Sequence, residues 1–326
     1  MPSRRRTLLV LLALATLALA GLLTSLAAGS LSASPAAAIA ALAGDGDGTL
    51  REVILGLRLP RTLAAFGCGA LLALAGALMQ VLLRNPLADP YVLGVSGGAS
   101  VAAMLGILFG LPYLGITGVA FVGACSAMLL VFGLAHGDGA WTQARLLLTG
   151  VVVAAGCGAV VALLLTVAPE HKLHNMLFWL MGDLSNALYP LPALGVLILV
   201  LVLALTRARE LNLLARGDAT AQALGVEVRQ VRLLIYTTAS LATAAAVTTA
   251  GSVGFVGLIV PHLVRLALGN DQRLLLPAAA LAGGSLLMFA DTVARTAVAP
   301  LQLPVGVLTA LLGVPLFLFL LSRQPR

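Results

Sequence analysis

Apolar runs close to the length of a membrane span, about 20 residues, follow one another along this chain with short polar breaks between them. They cover residues 7–28, 62–83, 92–111, 114–134, 146–167, 191–206, 233–249, 253–268, 274–293 and 304–321. A helix of about 20 apolar residues crosses the ~30 Å hydrocarbon layer of a bilayer, so the pattern predicts ten spanning helices. The third, sixth and eighth are short or interrupted by Gly. The first run follows Arg4, Arg5 and Arg6 and resembles a secretory leader, but it is longer than the roughly 7–15 apolar residues of a leader's core. It reads as an uncleaved first span.

Two polar breaks differ from ordinary loops. Residues 211–232, LNLLARGDATAQALGVEVRQVR, are too charged for hydrocarbon and too short for a domain. From Asn212 to Gly225, Leu and Ala alternate with polar residues at roughly helical spacing, and Gly225 reads as a helix stop. The pattern leaves two forms open: a short amphipathic helix at about 211–226, or a solvated loop with one helical turn in it. The second break, PEHKLHNMLFWLMGDLSNALYP after Ala168, sets Phe178, Trp179 and Tyr189 beside polar side chains. It predicts an interfacial or re-entrant helix with its rings at headgroup depth. His171 and His174 share a helical face beside Glu170, yet no convincing third metal ligand accompanies them. A wetted outer loop is the preferred reading.

Composition agrees with the pattern. Of 326 residues, 60% are hydrophobic and 10% charged, with a mean hydropathy of +1.08, whereas soluble domains carry about 25% charge. The formal charge of +7 is explained by Arg-rich cytoplasmic loops, so no nucleic-acid partner is expected. With both termini inside, fourteen of the 19 basic residues fall on the cytoplasmic side; Arg51, Arg58, Arg61, Lys172 and Arg295 fall outside. That bias obeys the positive-inside rule. Cys68, Cys125 and Cys157 sit inside apolar runs and make neither a disulfide framework nor a metal spacing. Gly- and Ala-rich spans let helix backbones approach closely in lipid, which predicts one tightly packed bundle, a single domain over 1–326.

Catalytic signatures are missing. Lys172 is the one lysine and precedes Leu, so no G-x-x-x-x-G-K-[ST] phosphate loop exists. No H-E-x-x-H, Cys cluster or G-x-S-x-G element occurs. Asp291 is the clearest carboxylate in or near a span. It is open to two readings, a proton relay or an i,i+4 partner of Arg295 at a helix end. The several buried carboxylates of a proton-driven carrier are lacking, and neither an enzyme nor a resident metal is expected.

Three blocks carry a resemblance. The first runs from RLPR (58–61) through AGALMQ (75–80) and RNPLADP (84–90) to LGVSGGA (93–99). The second is GFVGLIVPHLVR (254–265). The third joins ADTVAR (290–295) to LPVGVLTA (303–310) and GVP (313–315). In this order and spacing, from about Leu57 to the end, the chain resembles the permease subunits of the ABC importers for iron-siderophores, haem and vitamin B12.

The resemblance implies an all-α, ten-helix type II importer permease in the bacterial inner membrane, with both termini cytoplasmic. Its partners would be a second copy of the permease, two cytoplasmic ATPase subunits and one periplasmic substrate-binding protein. ATP and Mg would belong to the ATPase, and no cofactor to this chain. The cargo would be a metal chelate, ferric siderophore favoured, with haem or cobalamin close behind. The alternative is a secondary carrier or channel that needs no ATPase.

Residue roles follow from the same resemblance. The polar stretch becomes a coupling helix, with Leu213, Arg216, Gly217, Ala219, Ala223, Leu224 and Gly225 against the ATPase. Arg58, Arg61 and Arg295 would be offered to acidic residues of the binding protein, since a guanidinium fork holds a carboxylate bidentately; snorkelling to headgroups is the alternative. Thr142, Gln143 and Ala144 fall at a cytoplasmic gate, although Gln143-Ala144 stands where a small hydroxyl pair is expected. The conduit would lie on the dimer axis, lined by the fifth and tenth spans and the segment near 176–184. The two prolines stiffen the RNPLADP loop, which either packs on the coupling helix or serves folding alone.

Overall fold

The computed structural model describes residues 4–29, 33–44, 48–135 and 143–322. Among them every regular element is helical. In order these are α1 (Arg4–Ala27), α2 (Pro35–Ala43), α3 (Gly48–Val53), α4 (Leu59–Leu82), α5 (Val95–Leu108), α6 (Tyr113–Ala135), α7 (Gln143–Val167) and α8 (Glu170–Met181). Then come α9 (Leu191–Thr206), α10 (Ala208–Leu214), α11 (Asp218–Ala223), α12 (Val228–Ala250), α13 (Val256–Leu268), α14 (Gln272–Thr296) and α15 (Val305–Ser322). Six helices are long and apolar enough to cross a membrane, α9 and α10 form one further span bent by 66°, and α5, α13 and α15 are shorter apolar helices. These ten stand at the ten predicted apolar stretches, but the second begins earlier, at Gly48, and the bent pair runs on to Leu214.

Two helices have no counterpart in the hydrophobic pattern. In α2 the Ser34 hydroxyl accepts from the Ala37 amide at 3.1 Å, and Pro35 occupies the first turn. That is an N-cap followed by a proline whose missing N–H costs nothing there. α3 leads through a wider π turn, Ile54–Arg58, directly into α4, so Arg58 and Arg61 sit on one continuous helical rod.

The core is built on α4, which is buried along nearly its whole length and packs against α14, α12, α13 and α9. Its small residues make this possible. A Cβ on Gly69 would overlap the Gly283 carbonyl oxygen of α14, and one on Gly283 would overlap that of Gly69. The two backbones therefore touch, the close approach that stabilises helix pairs where lipid offers no hydrophobic gain.

Between α12 and α13 the chain leaves helical form with Phe255 at φ 68°. Its polar backbone is satisfied by neighbours, as a buried break requires. The Tyr91 hydroxyl donates to the Val253 carbonyl at 2.8 Å and accepts from the Val253 amide at 3.0 Å, while the Asp183 amide donates to the Ala250 carbonyl at 2.8 Å. α7 and α15 lie at the margin and expose Leu148, Val152, Leu163, Leu311, Leu312 and Leu318.

Candidate coupling and docking surfaces

The predicted coupling helix at about 211–226 takes a different form. It is two short helices, α10 and α11, starting earlier at Ala208 and broken at residues 215–217. The reason is local. The Arg216 and Gly217 amides bond back to the Leu213 and Leu214 carbonyls, each at 3.0 Å, tightening the end of α10. Gly217 then turns the chain at φ 118°, a conformation that side-chain-bearing residues avoid. Gly225, at φ 78°, ends α11 in the left-handed conformation usual after a helix.

Burial divides the segment into an anchor and a face. Leu211, Leu214 and Ala221 are buried. Arg216, Ala219, Ala223, Leu224 and Gly225 are exposed, while Leu213 and Gly217 are half-buried. Leu224 is 58% exposed, an apolar side chain at the tip of a polar turn.

Hydrogen bonds and ion pairs tie this segment to three spans. One carboxylate oxygen of Asp218 receives Arg232 of α12 at 2.6 Å and Arg84, just past α4, at 3.4 Å. Asn212 donates its amide to Asp271 at 2.8 Å and accepts from the Gln272 backbone at 2.8 Å, gripping the start of α14. The loop 84–90 therefore does contact the coupling segment, through Arg84. Within that loop, burial pushes the Asp89 carboxyl above its usual range, opposed by the bond it accepts from the Tyr91 amide at 2.7 Å. Asn212, Asp218 and Asp271 were not singled out from sequence. Asp271 carries a legible signal as an N-cap ahead of a long apolar run, and its side chain accepts from the Arg273 amide at 3.1 Å.

On the opposite end of the bundle, Arg58, Arg61 and Arg295 converge, but as a buried network and not as three outward forks. Arg58 is 5% exposed and donates to the Leu26 and Ala27 carbonyls at 2.7 and 3.2 Å, capping the last turn of α1. Arg61 grips Asp291 through Nε and Nη2 at 2.8–3.0 Å, and its Nη1 donates to Gln302 at 2.8 Å. Arg295 donates to the hydroxyl of Ser25 at 2.9 Å and to its carbonyl. It reaches Asp291 at 3.8 Å. An unpaired charge is costly to bury, and each guanidinium finds an acceptor within the chain. Asp291, 2% exposed, has Arg61 as its main partner and Arg295 as a second.

Beside this network α8 lies along a cavity of about 690 Å³ whose lining includes His171, His174, Asn175, Phe178, Trp179 and Gln302. The rings of His174 and Phe178 sit 4.3 Å apart, and Lys172 donates to the Leu108 carbonyl at 2.7 Å, capping α5. Among the described residues no three His, Cys, Asp or Glu converge as metal ligands. Of the expected gate, Thr142 and the Gln143 side chain lie outside the described residues. Ala144 is exposed in the first turn of α7.

The comparisons with known proteins cover nearly the whole chain. Residues 11–323 match the FecCD transport family. The haemin transport system permease of Yersinia pestis is 44% identical over 285 residues, spanning 84% of each chain. A cobalamin import system permease of Halobacterium salinarum is 45% identical over 278 residues, 84% of this chain and 74% of that one. A metal-chelate type ABC transporter solved in an inward-facing conformation superposes with a TM-score of 0.87 at 32% identity, covering 97% of this chain and 99% of the other. With its apolar helices gathered around a buried α4 and a family match over residues 11–323, this chain belongs to the FecCD transport family, the membrane permease subunits of ABC importers.

Proposed function

We propose that the chain moves a metal chelate into the cytoplasm along an axial passage between two permease copies, driven by two ATPase subunits and supplied by one substrate-binding protein. The observation that carries this reading is the segment 208–225: an exposed face of Arg216, Ala219, Ala223, Leu224 and Gly225 whose anchor is clamped to α4, α12 and α14. A partner pushing on that face moves three spans at once. The exposed apolar flanks of α7 and α15, with α8 beside them, supply the surfaces for a second copy and for a smooth passage.

The docking role of Arg58, Arg61 and Arg295 rests on charge balance. Arg61 and Arg295 share the single carboxylate of Asp291, a local positive excess that favours an acidic partner outside. As to cargo, the two named relatives carry haemin and cobalamin in their descriptions, which supports testing both beside a ferric siderophore. The deciding experiment reconstitutes the permease with ATPase and binding protein in liposomes and compares uptake of haem, cobalamin and a ferric siderophore. Uptake of one, lost without ATP or either partner, is the expected result. Uptake driven by a proton gradient without ATPase overturns it in favour of a secondary carrier.

A further inference from the structure

A second cavity, of about 890 Å³, opens beside the coupling segment. It is walled by Asn212, Ala215 and Arg216 on one side and by the near ends of α1, α4, α13 and α14 on the other. Its charge is one-sided. Among its described lining residues are four arginines, Arg6, Arg84, Arg216 and Arg265, and one carboxylate, Asp271; Arg84 is paired with Asp218, and Asp271 is engaged by Asn212 and the Arg273 amide.

Arg265 is held in a set orientation. Its Nη2 donates to the Gln80 side-chain oxygen at 2.7 Å. Gln80, 4% exposed, is in turn fixed by donating to the Leu258 carbonyl at 3.2 Å. Arg265 Nη1 is left buried with no acceptor among the described residues. Arg216 stands exposed at the break between α10 and α11 and makes no side-chain hydrogen bond or ion pair with any described residue. Buried polar groups in native structures find a partner. For a guanidinium the strongest is a carboxylate. The cavity far exceeds the ~30 Å³ share of one water, so it has room for a side chain on a protein segment and not only for a small ion. It is also continuous with the exposed face 216–225.

We infer that this cavity receives an acidic side chain of the ATPase, its carboxylate held between Arg265 and Arg216. The inference rests on the proposed function and names the chemistry its partner must bring: a Glu or Asp on the surface that meets α10 and α11. The contact would hold the ATPase by charge at a point beside the hinge at Gly217.

The test places the permease in nanodiscs of phosphatidylcholine alone, or with phosphatidylglycerol added, and measures ATPase affinity across NaCl concentration. Arg216→Glu and Arg265→Gln are expected to weaken binding ~10-fold or more and to flatten its salt dependence. Arg216→Lys should lose less. Recovery of Arg216→Glu by an acid-to-Arg change on the ATPase would identify the partner residue. If the variants bind with unchanged affinity and salt slope, or lose affinity only when phosphatidylglycerol is present, the inference is overturned; the second result assigns the cavity to a lipid headgroup. Should Arg265→Gln fail to fold, Arg216→Glu decides alone, because its side chain is exposed. Failure of the unaltered permease to bind any ATPase would instead sink the proposed function.

Discussion

At the scale of residues, Asp291 is the carboxylate that joins Arg61 and Arg295 at the end of the bundle away from the coupling segment. Removing one partner of a buried pair costs about 3–5 kcal/mol, because the other charge is left unpaired. Asp291→Ala should therefore lower the thermal stability of the detergent-solubilised permease by that order. The double change Asp291→Asn with Arg61→Gln should recover much of the loss, since it removes the Arg61 charge that the single change orphans and leaves Arg295 its bonds to Ser25. Equal destabilisation by the single and double variants would show that the pair is not what holds α4 to α14 there. The i,i+4 spacing made Asp291–Arg295 visible in the sequence, yet that is the longer contact, at 3.8 Å. The bidentate partner, Arg61, is 230 residues away, and no local pattern announces a pairing across that distance. Asn212 with Asp271 is hidden for the same reason.

Among the elements, the spans were legible because the bilayer demands a fixed length of apolar sequence, and the coupling segment was legible only as a polar interruption. Its break was written in Gly217, which the resemblance offered as a contact and not as a turn. The bend between α9 and α10 had no comparable signal. Two substitutions separate conformation from surface at the far end of the segment. A Cβ on Gly225 meets nothing within 4 Å, so Gly225→Ala should cost only the ~1 kcal/mol of a left-handed backbone. Gly225→Asn should fold more easily, since Asn tolerates that region. If the face seats the ATPase, both variants will reach the membrane at normal levels, while Asn, the bulkier, loses more ATP-driven uptake. Equal uptake by both and by the parent would remove Gly225 from the interface. In the core the expectation is harsher: Gly283→Val drives a side chain into the α4 backbone, and the amount of folded permease extracted from membranes should collapse.

For the whole molecule, the family match and the packing agree on one helical bundle, one end tied by Asp291 and the other by Asp218. The central position of α4 has a consequence for how the protein is made. α4 is among the first spans to leave the ribosome, but α14, whose glycine it must touch, begins at Gln272, long after α4 ends at Leu82. At ~5–20 residues per second of synthesis, that interval is roughly 10–40 s. Through it the helix must wait in lipid or at the insertion machinery with its small-residue seam uncovered. Chains truncated before α14 should insert and then be cleared by membrane proteases, a fate that pulse-chase labelling would reveal. The same seam that makes the finished bundle compact makes the unfinished one a substrate for quality control.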